Sequence, residues 1–136
     1  MNKKISCKPI TQEDPFGCGV ACTALLLDQS YQETIKMFNI KKIENYGCDC
    51  PDISKVLNKN GLAYKWKKYT TGLIPSFSVV YLGPNDYYQV GHWLVKYNDT
   101  WMNPWVSGKT IKEAEAGMVN NLLGKITYIV YPYNKE

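Results

Sequence analysis

The chain has 136 residues, which suits one domain with its own core, since at this size about two-thirds of the unfolded surface becomes buried. A composition of 45% hydrophobic and 21% charged residues excludes a mainly disordered chain, and one histidine excludes any site needing two imidazoles from it. The net charge of +4 comes from lysines with no arginine, so no guanidinium fork can read guanine edges, and nucleic acid is not an expected partner.

In chain order, the N-terminus from Met1 to Pro9 carries lysines but lacks the apolar stretch of about 7–15 residues that an export signal requires. No window approaches the ~18 apolar residues of a membrane span, so the expectation is a single cytoplasmic domain over residues 1–136. Five cysteines, an odd number without an export signal, argue against a disulfide framework and toward metal binding or catalysis.

Gly17 to Leu27 is small and apolar nearly all round, the pattern of a helix buried in the core. Ser30 and Glu33 form a capping-box pattern for a second helix near Tyr31–Phe38. A third helix has Pro51 in its first turn and ends at Asn60-Gly61. The second half is rich in β-branched and aromatic residues, with strands expected at Ala63–Tyr69, Ser76–Leu82, Gly91–Tyr97, Thr100–Asn103 and Ile126–Tyr131. A further helix is expected near Ile111–Leu123, weakened by Gly117 and the Asn pair. Helices first and strands afterwards indicate an α+β domain with an antiparallel sheet.

Cys18 follows the turn-prone Pro15-Phe16-Gly17 and precedes the apolar run, which places it in the first turn of the buried helix. Free N–H groups and the positive end of the helix dipole stabilise a thiolate there, whereas Cys22, one turn deeper, should stay protonated. The bland alternative is that both are core cysteines. His92 is the only imidazole available as a base. With Asn98-Asp99 as a hairpin turn, Tyr97 pairs with Thr100, and His92 and Asn103 become diagonal neighbours on one sheet face. Side chains bridge that diagonal, roughly 7–8 Å between backbones, so Asn103 can fix the ring's tautomer.

Gln12, then Cys18-Gly19 opening a helix, then Gly91-His92-Trp93 and Asn103-Pro104-Trp105, together resemble the papain-like cysteine peptidases. The likeness is closest to the small bacterial branch that processes double-glycine leaders of bacteriocins, and Pro51-Asp52-Ile53 through Asn60-Gly61-Leu62 also fits it. The resemblance spans roughly residues 9–131 and implies a papain-like fold, N-terminal helices packed on an antiparallel sheet. It implies a peptide or protein substrate, no cofactor and no metal. By the same resemblance Cys18 is the nucleophile, His92 the base, Asn103 its orienting partner, and Gln12 an oxyanion donor beside the Cys18 N–H. Trp93 and Trp105 would line the peptide groove. That branch usually carries Asp where this chain has Asn103, whereas papain itself uses Asn, which orients the ring without supplying charge.

Two rival readings use the same residues. Cys18, Cys22, Cys48 and Cys50 can be read as a zinc site, although Cys48-x-Cys50 is tighter than usual spacers. Alternatively the domain is an inactive relative used for binding, its tyrosines and tryptophans, with Tyr87, Tyr88, Trp93, Trp101 and Trp105 among them, lining a groove. Acyl transfer to an amine would share the hydrolase's thioester intermediate.

Overall fold

The structure is a computed structural model and describes residues 8–134. The reading of the N-terminus as free of an export signal, and Cys7 with it, rests largely on residues outside that span. Four helices precede six strands: α1 (Cys18–Leu27), α2 (Tyr31–Ile35), α3 (Ile40–Asn45), α4 (Cys50–Lys59), then β1 (Tyr64–Lys68), β2 (Val79–Leu82), β3 (His92–Tyr97), β4 (Thr100–Ser107), β5 (Glu115–Val119) and β6 (Ile126–Pro132). The strands form one antiparallel sheet in the order β1-β6-β2-β3-β4-β5. This is the α+β arrangement expected from helices first and strands afterwards. No helix among the described residues is long and apolar enough to cross a membrane.

Every residue of α1 is buried, which explains its lack of a polar face. It packs on β3 and β4, while α4 lies over β1 and β6. The core on this side joins Leu25, Leu26, Leu57, Trp93, Met102 and Val130. A second cluster, with Val80, Leu82, Leu94 and Ile129, covers the opposite face. The sheet is therefore buried on both faces near its centre, and alternate residues of β3 feed different cores.

The local signals that mark helix starts hold. Ser30 and Glu33 form a reciprocal capping box on α2, and Asp49 does the same with Asp52 on α4, whose first turn contains proline. Lys42 bridges both Asp49 and Asp52, tying α3 to the start of α4. The α3 helix itself, capped by Asn39, was not anticipated, and α2 is shorter than its expected Tyr31–Phe38.

One expectation is overturned. The segment expected as a helix near Ile111–Leu123 has only a single 3-10 turn, Ile111–Glu113, followed by strand β5. Its lysine, glutamate and alanine residues favour helix, but pairing with the otherwise open edge of β4 outweighs that weak preference. Strand β4 also runs further than expected, through Pro104. Proline is tolerated because the β4–β5 register shifts between Asn103 and Ser107, so its missing N–H interrupts no ladder bond.

Candidate active site

Cys18 opens α1 behind Gly17, which provides no side-chain cap. Gly17 has no room for one, because a Cβ there would meet the Tyr31 hydroxyl at 2.0 Å. That hydroxyl donates to Asp14 Oδ2 at 2.5 Å, and Gly17 N donates to Asp14 O, so the turn before the helix is pinned from both sides. The Cys18 sulfur lies within reach of the N–H groups of Trp93, Gly19 and Cys18 itself, each of which favours a thiolate. Burial acts the other way and is larger, pushing the thiol up to about 11. The thiolate expected from the helix N-terminus is thus outweighed by desolvation, and the resting group is a thiol.

His92 begins β3 directly after Gly91, whose φ of +82° suits glycine. A Cβ at Gly91 would also strike the Tyr81 hydroxyl. The imidazole is buried and its Nε2 lies 2.7 Å from Asn103 Oδ1. The same oxygen accepts the backbone N–H of Trp105 at 3.0 Å. A backbone N–H only donates, so the Asn103 oxygen is fixed as the acceptor and His92 Nε2 must be the donor. In the neutral ring, Nδ1 therefore carries the lone pair. Burial holds the His92 pKa below its ordinary value, and the Asn103 hydrogen bond opposes this only partly.

The hairpin geometry inferred from alternation is present: Tyr97 pairs with Thr100 and Val95 with Met102 across the Asn98-Asp99 turn. Asn103 is then brought to the imidazole, and the bulge at Pro104 presents it there. Pro104 O accepts the Gln12 N–H at 3.2 Å, which anchors the N-terminal segment beside the same bulge.

Gln12 is buried, and its Nε2 lies 3.0 Å from Asp14 O and 3.2 Å from Pro15 O. Its Oε1 is buried without a partner. Rotating the amide by half a turn would set its oxygen against two carbonyls, so the present orientation is the favourable one. Gln12, Cys18, His92 and Asn103 all line one cavity of about 840 Å³. Trp93 and Trp105 line it too, but in different ways. Trp93 is buried in the helix-side core against Tyr81, with ring centroids 4.8 Å apart. Trp105 is half-buried, with its indole N–H on Gly108 O.

The other thiols separate. A Cβ on Gly19 would fall 2.2 Å from Cys48 Sγ, so the Cys18-Gly19 pair leaves space for that sulfur. Cys22 is fully buried and its thiol is pushed well up by desolvation, which keeps it protonated. Cys50 stands in the first turn of α4, its thiol raised to about 12 by burial and then by Asp49. The four thiols of the zinc reading do not converge: among the described residues no group of three or more His, Cys, Asp or Glu side chains is placed to hold a metal ion.

Sequence reasoning placed Tyr88 only among groove-lining aromatics. Its ring stacks on His92 with centroids 4.3 Å apart and planes at 15°, and its hydroxyl accepts from Asn103 Nδ2 at 3.4 Å. Neighbouring Tyr87 is largely exposed, and nothing in a Tyr-Tyr pair distinguishes the two. Neither a scan against protein-family models nor a search of curated proteins returned a match for this chain.

Proposed function

We propose that this domain is a cysteine peptidase of papain-like type, cleaving peptide bonds through Cys18, His92 and Asn103. The observation that carries the reading is the tautomer. Asn103 and Trp105 leave the lone pair on His92 Nδ1, and the neighbouring Trp93 N–H faces the Cys18 sulfur. A neutral thiol and a neutral imidazole lining one cavity are the starting state of general-base attack. The Cys18 sulfur bonds to the substrate carbonyl carbon as its proton passes to Nδ1. The imidazolium then protonates the departing amine, and water releases the acid from the thioester with the same nitrogen as base.

The developing oxyanion needs donors, and the Cys18 N–H supplies one. Gln12 supplies a second when its amide turns from the longer contact, to Pro15 O, and points an Nε2 hydrogen at the oxyanion. Asn103 orients the ring without charge, so the imidazolium gains less than an aspartate would give it. Aromatic walls from Tyr87, Trp93 and Trp105 suit an extended peptide with apolar side chains.

The test is reaction of the folded protein with iodoacetamide, followed by peptide mapping, alongside digestion of a mixed peptide library read by mass spectrometry. Cys18 should be alkylated first, His92→Ala should slow that labelling, and Cys18→Ala should abolish library cleavage. Faster reaction at Cys48 or Cys50, or cleavage that survives Cys18→Ala, overturns the reading.

A further inference from the structure

We propose that Tyr88 is a positioning residue, the tip of a clamp anchored at Asn85 that holds the His92–Asn103 pair in place and covers it from water. The proposal rests on the reading of His92 as the working base, yet its own evidence is geometric. The phenol ring lies face to face on the imidazole, and its hydroxyl takes a hydrogen of the Asn103 amide. Asn103 thereby has contacts at both ends: Oδ1 to His92 and Trp105, Nδ2 to Tyr88. Without Tyr88 the amide keeps its acceptor contacts but loses the one that restrains its nitrogen, and one face of the imidazole is opened.

Tyr88 is itself held from three directions. Asn85 Oδ1 accepts the N–H groups of Tyr87 at 2.7 Å and Tyr88 at 2.9 Å, an Asx turn that sets the backbone. Asn85 N donates to Tyr88 O at 2.9 Å, and Gly91 N donates to the same carbonyl at 3.0 Å. The Asn85 side chain then reaches the loop between β5 and β6, donating from Nδ2 to Leu123 O at 3.0 Å. Gly124 leaves room for that contact, since a Cβ there would come within 2.5 Å of Nδ2. The loop between β2 and β3 is in this way fastened to the loop between β5 and β6, and the ring it carries lands on the base.

The groups that face His92 are few. Asn103 comes from β4 and Tyr88 from the preceding loop, Tyr81 of β2 packs over the adjacent Gly91, and Cys18 of α1 lines the same cavity. Burial and then the Asn103 bond set the ring's proton affinity, with no carboxylate or ammonium among the described residues contributing. Removing the Tyr88 ring admits water to one face of the imidazole, and the imidazolium becomes easier to form.

Because the chain has one histidine, its imidazole gives a single set of resonances and can be titrated by NMR without turnover. In Tyr88→Leu the midpoint should rise by about 0.5–1 pH unit toward the ordinary value, while Tyr88→Phe, which keeps the ring, stays nearer the wild type. Asn85→Ala, remote from the ring, should move the midpoint in the same direction. Should Tyr88→Leu fail to fold, Asn85→Ala and Tyr88→Phe still carry the test. An unchanged midpoint in folded Tyr88→Leu, or in folded Asn85→Ala, overturns the proposal. Peptidase assays separate the two readings: a shifted midpoint with no cleavage by the wild type sinks only the peptidase assignment. Cleavage by the wild type with an unmoved midpoint sinks only the clamp.

Discussion

His92 and Asn103 stand eleven positions apart in sequence and 2.7 Å apart between Nε2 and Oδ1, on adjacent strands joined by a tight turn. The Trp105 N–H on the same oxygen makes that contact directional. One ring nitrogen is thereby committed as donor and the other left as acceptor, so a backbone amide two residues beyond Asn103 decides which nitrogen can take a proton. The consequences reach the cysteine, the stability and the pH response.

For Cys18, a thiol raised to about 11 predicts that in His92→Ala, with no general base left, alkylation climbs close to tenfold per pH unit from pH 7 toward 10, whereas the wild type changes far less over that range. Cys18 should still react ahead of Cys50, whose thiol lies higher. Stopped-time labelling with iodoacetamide over that range measures both. A His92→Ala rate that levels off below pH 8 would mean that the Cys18 thiol is not raised.

Gln12 should matter to hydrolysis and not to alkylation, because only acyl chemistry develops an oxyanion. Gln12→Ala is expected to lower kcat by about 10²–10³-fold while Cys18 labels at nearly the wild-type rate. Unchanged labelling also shows that the turn at Asp14–Gly17 has kept its shape. Equal losses in both assays would reduce Gln12 to a structural residue.

His92 is held neutral in the fold, so the unfolded chain binds more protons than the native one between the depressed pKa and about 6.5. Stability should therefore fall as the pH drops below 6.5, by up to about 1.4 kcal/mol per unit, and level off below the native pKa. Asn103→Ala removes the contact that raises the His92 pKa, so the sloping region should extend to lower pH. Urea unfolding of wild type, Asn103→Ala and His92→Gln between pH 4 and 8 isolates this slope, which His92→Gln should lose.

Gly19 is kept small by Cys48. In an open helix, alanine for glycine would gain about 1 kcal/mol, but here the new Cβ meets Cys48 Sγ at 2.2 Å. Gly19→Ala should cost about 1–3 kcal/mol through overpacking. Adding Cys48→Ala should restore much of the loss, a coupling that a double-mutant cycle measures directly. Additive costs would show that Gly19 is required for another reason.

The parts of this architecture that depend on neighbours in sequence were legible from residues alone. The Ser30–Glu33 box, the proline in the first turn of α4 and the Asn98-Asp99 turn are local devices, and strand alternation carried the turn through to the His92–Asn103 contact. Strand β5 was misread because its residues favour helix and its partner strand lies outside any local window. Cys48 and Cys50 could not be assigned, since only the returning loop sets Cys48 against Gly19.

By itself the sequence determined that one cysteine opens a buried helix, that one histidine begins a strand, and that an asparagine faces it across a hairpin. Those facts follow from period, caps and turn residues, which act over a few positions. Only the tertiary structure decided the protonation of that cysteine, the orientation of the Gln12 amide and the choice of Tyr88 over Tyr87 as the ring stacked on His92. Desolvation is a sum over everything packed around a group, and a contact fastened between two loops exists only once distant segments meet. The single imidazole that the composition provides is therefore placed by its strand, but its chemistry is set by the residues folded around it.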